Sequence, residues 1–284
     1  MRTFGKKNGF LGSATAWGWS LAVLVCFPLG LVLVPAAQSA EEAILTSDLR
    51  RIQPFEPGET LTYDISWSNI VTAGIATMTV NEDTLGNGRK VLVFTVRGHT
   101  TSLVDKFYPV DDTVQSVFDP LIMQSLSYSL HENYGRKKRT RVVVFDHANK
   151  NAVSTLNNDP PQSLAIPDEV QDGLSFLYYL RSREASATGK PITIEVLDSG
   201  QNWSVEVYTL GREKVKTSAG EFSTIKIKTY PKYKGVFKNK GEVFIWLTDD
   251  IHKVPVLMKS KLAFGSFVFT RTNLSLGKGR HLSQ

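Results

Sequence analysis

Hydrophobic and polar residues alternate with a period of two along most of this chain. Leu61, Tyr63, Ile65 and Trp67 are separated by Thr62, Asp64 and Ser66, the pattern of a strand with one face buried and one in water. Gly74 to Val80 and Lys90 to Gly98 repeat it, with Gly86-Asn87-Gly88 between them as a hairpin turn, since these residues tolerate positive φ. Phe107 to Phe118 reads as a strand interrupted near Pro109, hence an edge or a bulge. Met123 to His131 alternates again. The basic run Gly135 to Arg141 leads into Val142 to Phe145. It reads as a hairpin turn and an exposed strand end whose charge guards a sheet edge, or as a site for an anionic head group. Asn157 to Pro161 is a turn. Strand patterns resume at Ile192 to Leu197, Trp203 to Leu210, Phe222 to Tyr230, Glu242 to Leu247, Lys253 to Lys259 and Leu262 to Leu274.

One stretch breaks the alternation. Ile166 to Gly189 predicts a helix, centred on about residues 168–185. Asp168 is its expected N-cap, Gln171 stands in a capping-box position, and Arg181 and Arg183 suit the C-terminal end of the dipole. Gly189 and Pro191 stop it. Leu174, Phe176, Leu177, Tyr178, Tyr179 and Leu180 cover almost its whole circumference, so it is expected to be buried on most sides.

Together these elements predict a mainly β fold. A single rolled, spiral or barrel-like antiparallel sheet of about 13–14 strands curves around one central helix. The domain is expected to span residues 55–276, after a leader at 41–54 and before a disordered tail at 277–284.

Residues 1–40 stand apart. Arg2, Lys6 and Lys7 precede an apolar run from Phe10 to Val34, and small residues surround Ala37, Ser39 and Ala40. This is the pattern of a cleaved secretory signal peptide, with an uncleaved inner-membrane anchor as the alternative because the run is long. The expected location is the periplasm. Removing the segment halves the formal net charge of +6, too little to argue for nucleic acid. Cys26, the only cysteine, goes with it, which leaves no disulfide, thiol nucleophile or cysteine metal site.

Several short motifs occur in a suggestive order: Phe55-Glu56-Pro57-Gly58-Glu59-Thr60-Leu61-Thr62-Tyr63, Ala73-Gly74, Phe107-Tyr108-Pro109-Val110-Asp111-Asp112, Asp172-Gly173-Leu174-Ser175 with Tyr178-Tyr179-Leu180-Arg181, Thr217-Ser218-Ala219-Gly220-Glu221-Phe222, and Trp246-Leu247-Thr248-Asp249-Asp250 with Pro255-Val256. The chain thereby resembles the exported bacterial domain of unknown function family 3108, over about residues 55–276. The resemblance implies an envelope protein and no particular activity. It also suggests kinship of fold with rolled β-spiral envelope proteins that hold a helix in the bend.

The candidate chemistry is sparse. Asp249, Asp250 and His252 are the best polar constellation, either an acid–base or metal site, as in a hydrolase, or a plain turn between strands. Asp111 and Asp112 point to opposite faces of a strand. An inward one would need a cation, for which Arg181 is the candidate. His99, His131 and His147 show no metal-ligand spacing, and Ser175 lacks a nucleophile elbow. No metal, cofactor or catalytic residue is expected. Tyr178 and Tyr179 are either core or the mouth of a ligand cavity, with Arg181 beside them. Tyr178, Tyr179, Arg181, Asp111, Asp112, Trp246 and Asp249 are therefore the candidate ligand-binding residues. The expected function is non-enzymatic binding of a lipidic or peptide segment in a groove between sheet and helix. The alternatives are a scaffold for an envelope protein partner and a hydrolase.

Overall fold

The computed structural model describes residues 53–277, apart from Asn69, Arg136 and residues 184–189, 234–235, 238–241 and 263–264. The expected signal segment at 1–40, most of the expected leader and most of the tail lie outside the described residues. Sixteen strands and two short helices follow in order: β1 (Glu59–Trp67), β2 (Val71–Thr84), β3 (Lys90–Thr100), α1 (Ser102–Asp105), β4 (Asp111–Asp119), β5 (Gln124–Tyr134), β6 (Lys137–Asp146), β7 (Asn151–Leu156), β8 (Gln162–Ala165), β9 (Gln171–Asp172), α2 (Ser175–Arg181), β10 (Ile192–Asp198), β11 (Gln201–Thr217), β12 (Gly220–Tyr233), β13 (Val236–Phe237), β14 (Glu242–Thr248), β15 (Pro255–Leu262) and β16 (Gly265–Leu276).

All the strands belong to one curved, unclosed sheet with the order β8-β7-β6-β5-β4-β3-β2-β1-β16-β15-β14-β12-β11-β10-β9, and β13 pairs with β12. Neighbours run antiparallel, except β9 and β10, which are parallel. The chain thus makes two arms, β1–β8 and β9–β16, joined at a central seam where β1 meets β16. The sheet wraps α2. Leu174, Tyr178, Tyr179, Leu180 and Arg181 are buried, and Phe176 and Leu177 are part-buried.

The structure corrects four details of the pattern. The helix begins at Ser175 rather than at Asp168. Asp168 is exposed and pairs with Lys150 at 2.9 Å, and Gln171 and Asp172 are drawn into the sheet as β9. The capping carboxylate is Asp172. Its Oδ1 accepts the N–H groups of Leu174 and Ser175, both at 2.7 Å, and Ser175 Oγ accepts the Asp172 N–H at 2.9 Å. This is a reciprocal cap of the capping-box kind. Second, β6 is an inner strand from Arg141 to Asp146, where it lies between β5 and β7, and only its basic end, Lys137 to Arg139, pairs with β5 alone and leaves an open, charged strand end.

Third, β7 and β8 flank the expected turn at Asn157 to Pro161, where the pattern gave no strand, and β9 falls within the expected helix. In β7 the usual alternation is inverted, with Ala152 and Ser154 inward and Val153 40% exposed. Fourth, Phe107 and Tyr108 belong to a loop after α1, not to a strand.

Candidate functional site

α2 presents different residues to the two arms. Tyr178 packs into the β1–β8 arm. Its ring stacks on Phe94 at 3.7 Å and 7°, and meets Phe55 edge-on at 5.1 Å. Tyr179 and Leu180 pack into the other arm with Ile194, Val196, Trp203 and Ile245. Leu177 touches both clusters and remains part-exposed.

The concave face of the seam is a ladder that register alone defines. Trp67 faces Phe267, Ile65 faces Phe269, and Tyr63 faces Arg271. Directly opposed residues share a face. Phe269 in turn faces Met258 on β15. Ile65, Phe269 and Met258 pack against the core yet stay part-exposed. These inward apolar groups, left part-exposed, form a strip along the seam.

The strip ends at an apolar rim. Trp67 and Phe267 meet edge-on at 4.8 Å. At the same end, Thr101 donates its N–H to Ala73 O at 2.9 Å, which draws the α1 loop onto the start of β2. Ile70 there is 81% exposed and Phe107 84%, with Leu103 and Tyr108 also exposed.

Two arginines lie in the interior beside Tyr63, and they differ sharply. Arg181 donates to both Glu59 oxygens at 2.7 Å, to His252 O at 3.0 and 3.3 Å, and to Pro54 O at 3.2 Å. Burial pulls its guanidinium pKa down, but Glu59 outweighs that and the net shift is upward. Arg271 is equally buried, yet its Nε and Nη1 have no hydrogen-bond partner. Its guanidinium lies 4.3 Å over the Phe222 ring. Burial holds its pKa below the ordinary value, opposed by the nearby Tyr63 and Asp250. Tyr63 itself donates its O–H to Pro255 O at 2.8 Å, and burial raises its pKa.

A second polar cluster ties the arms together. Ser116 on β4 and Ser125 on β5 both donate to Asp172 Oδ2 at 2.5 Å, and Gln171 donates to Met123 O at 2.8 Å. Burial raises the Asp172 pKa, against these serines and the two capping N–H groups.

Residues 62–272 match the family model described as a protein of unknown function, DUF3108. The chain belongs to the DUF3108 family. Among solved structures, a β-barrel-like protein of domain of unknown function DUF1849 from Brucella abortus is similar, with a TM-score of 0.53 at 10% identity, over 78% of this chain and 98% of that one. That likeness is one of fold. Weaker likenesses join it to a protein with a YmcC-like fold from Bacteroides fragilis, assigned as exported, at a TM-score of 0.33 and 11% identity over 78% and 97% of the two chains. A protein of Parabacteroides distasonis assigned as a lipoprotein gives a TM-score of 0.32 and 9% identity, over 79% and 98%. No curated protein matches the chain.

In this DUF3108 chain the other candidate residues are scattered. Asp111 is exposed. Asp112 accepts the Asn133 N–H at 2.8 Å, and burial raises its pKa. Neither meets Arg181, whose carboxylate partner is Glu59 instead. Trp246 sits on the convex face. It donates to Glu213 at 2.5 Å, and Lys226 lies over its ring at 4.9 Å.

Asp249 pairs with Arg212 at 2.6 Å. Asp250 Oδ1 accepts from Thr248, His252 N and Lys253 N, which is the work of a turn residue. His252 contributes its carbonyl to Arg181. No group of three or more potential metal ligands occurs among the described residues. No helix among them is long and apolar enough to cross a membrane.

Sequence reasoning missed Glu59 and Arg271. Both carry a signal in strand parity. Glu59 is in step with Leu61, Tyr63 and Ile65, and Arg271 with Phe267 and Phe269. A charge at an inward position of an alternating strand needs an explanation.

Proposed function

We propose that this protein is an exported component of the cell envelope that binds a lipidic or peptide segment on the concave face of its sheet, beside α2, without catalysing a reaction. The observation that carries this reading is the part-exposed strip Ile65, Phe269, Met258 and Leu177, continuous with the rim at Trp67 and Phe267. Core side chains at such positions are normally sealed. An apolar strip reached from an apolar mouth suits a flexible apolar ligand. The N-terminal segment, with its basic start and long apolar run, supports export.

A second reading rests on the rim alone. Exposed Ile70, Leu103, Phe107 and Tyr108 also suit a scaffold that docks an envelope protein and takes nothing inside.

The test is native mass spectrometry and solvent extraction of the full chain recovered from the envelope of its expressing cells, beside the variant Ile65→Trp. A bound lipid or peptide in the wild type, lost from Ile65→Trp with folding intact, supports the groove. A wild type that carries no such ligand and takes up none from vesicles overturns it. A stoichiometric protein partner indifferent to Ile65→Trp, but lost from Phe107→Asp, favours the scaffold.

A further inference from the structure

The two interior arginines show what this fold supplies to a structural guanidinium and what it withholds. Arg181 receives a carboxylate and two carbonyls. Arg271 receives one aromatic face and no carboxylate among the described residues. A buried cation with unused donors is costly to keep unless something pairs with it. The nearby Asp250 acts on Arg271 through space but makes no hydrogen bond to its Nε or Nη1. Asp250 has one oxygen committed to three hydrogen bonds within its turn. Tyr63 has spent its O–H on Pro255 O.

The position of Arg271 adds direction. It occupies the rung after Ile65–Phe269, and that rung follows Trp67–Phe267 at the rim. From mouth to interior the concave ladder therefore runs aromatic, apolar, cationic. The four steps from Phe267 to Arg271 span roughly 13 Å at about 3.3 Å per residue. The Phe222 ring centroid stands 4.3 Å from the guanidinium carbon, and the unpartnered Nε and Nη1 N–H groups belong to a fork that matches a carboxylate.

We propose that Arg271 anchors the carboxylate of a long-chain fatty acid, whose tail runs outward over Phe269 and Ile65 and leaves past the paired rings of Trp67 and Phe267. This names the ligand class for the groove and so rests on the reading given above. A neutral lipid would cover the strip and leave the Nε and Nη1 donors unanswered. A single-chain carboxylate answers both features with one molecule.

Titration calorimetry of the delipidated full chain with palmitate, hexadecanol and hexadecyl phosphate tests the assignment. Palmitate is expected to bind at least about tenfold more tightly than hexadecanol, the increment typical of a charge-assisted hydrogen bond. Arg271→Met is expected to abolish that preference and to leave hexadecanol binding in place. Equal wild-type affinity for acid and alcohol overturns the assignment of Arg271 while leaving the groove standing, as does an Arg271→Met chain that keeps the preference. Preference for hexadecyl phosphate over palmitate overturns the carboxylate. Absence of binding to all three overturns the anchor together with the lipidic reading of the groove. Should Arg271→Met fail to fold, the wild-type comparison of acid with alcohol decides by itself.

Discussion

Arg181 on α2 and Glu59 on β1, 122 residues apart, meet in a two-pronged ion pair with both N···O distances at 2.7 Å and each side chain about 1% exposed. The pair fastens the helix to the central seam. Removing one partner strands the other as a buried charge, at a cost of about 3–5 kcal/mol. Arg181→Met and Glu59→Gln are each expected to lower the urea midpoint by that order. The double variant Glu59→Leu/Arg181→Met should cost less than the sum, with a coupling above about 1 kcal/mol. Strict additivity would show that the two side chains do not act together.

Asp172 fastens the other end of the helix and ties β9 to β4 and β5. Its pKa is raised above the ordinary 3.8, because burial outweighs the hydrogen bonds from Ser116, Ser125, Ser175 and Leu174. The folded chain therefore keeps this proton to higher pH than the unfolded chain. Stability from this residue falls as pH rises through the window just above 3.8. Asp172→Asn retains an acceptor for the two capping N–H groups and gains donors for the serines. It is expected to flatten that part of the stability–pH curve, with neutral-pH stability at or above wild type. Asp172→Ala should cost about 2–4 kcal/mol through lost capping and unsatisfied serines. Denaturation midpoints across a pH series separate the two variants. A wild-type curve that rises through the window would contradict the sign.

Tyr178 is held by its ring and not by its hydroxyl. The ring stacks on Phe94, while the buried O–H has no hydrogen-bond partner. Tyr178→Phe is expected to be neutral or to stabilise by up to about 1 kcal/mol. Tyr178→Ala should cost about 3–5 kcal/mol. A destabilised Tyr178→Phe in thermal melts would reveal a partner for the hydroxyl.

Gly265 opens β16 at φ 141°, and a Cβ there would stand 2.5 Å from the Trp67 ring. Gly265→Ala brings backbone strain of about 1–3 kcal/mol and displaces Trp67 from Phe267. Both stability and ligand uptake are expected to fall. The tryptophan fluorescence of the variant should shift, against a control in Trp67→Phe. An unchanged spectrum would place the rim elsewhere.

The sequence revealed most where burial and polarity agree. β1 shows its parity from Leu61 to Trp67, and α2 shows its apolar circumference. It misled where a side chain's role depends on a distant partner. Asp168 resembles an N-cap, yet the parallel pairing of β9 with β10 hands that task to Asp172. β7 hides because its inward positions are Ala152 and Ser154, small groups beneath a crowded interior. Arg181 was recognisable as a charge at the end of an apolar helix, but nothing nearby in sequence names Glu59. Asp249, Asp250 and His252 cluster in the sequence and then disperse into an ion pair, a turn and a carbonyl contact.

The seam between β1 and β16 joins the two ends of the domain. Each arm is mostly a meander of neighbouring hairpins, which form from local contacts. The join between the arms closes a loop that spans nearly the whole domain, the kind of non-local pairing that slows folding. A chain cut short before Gly265 lacks the strand that unites them, leaving two half-sheets and a helix with only part of its enclosure.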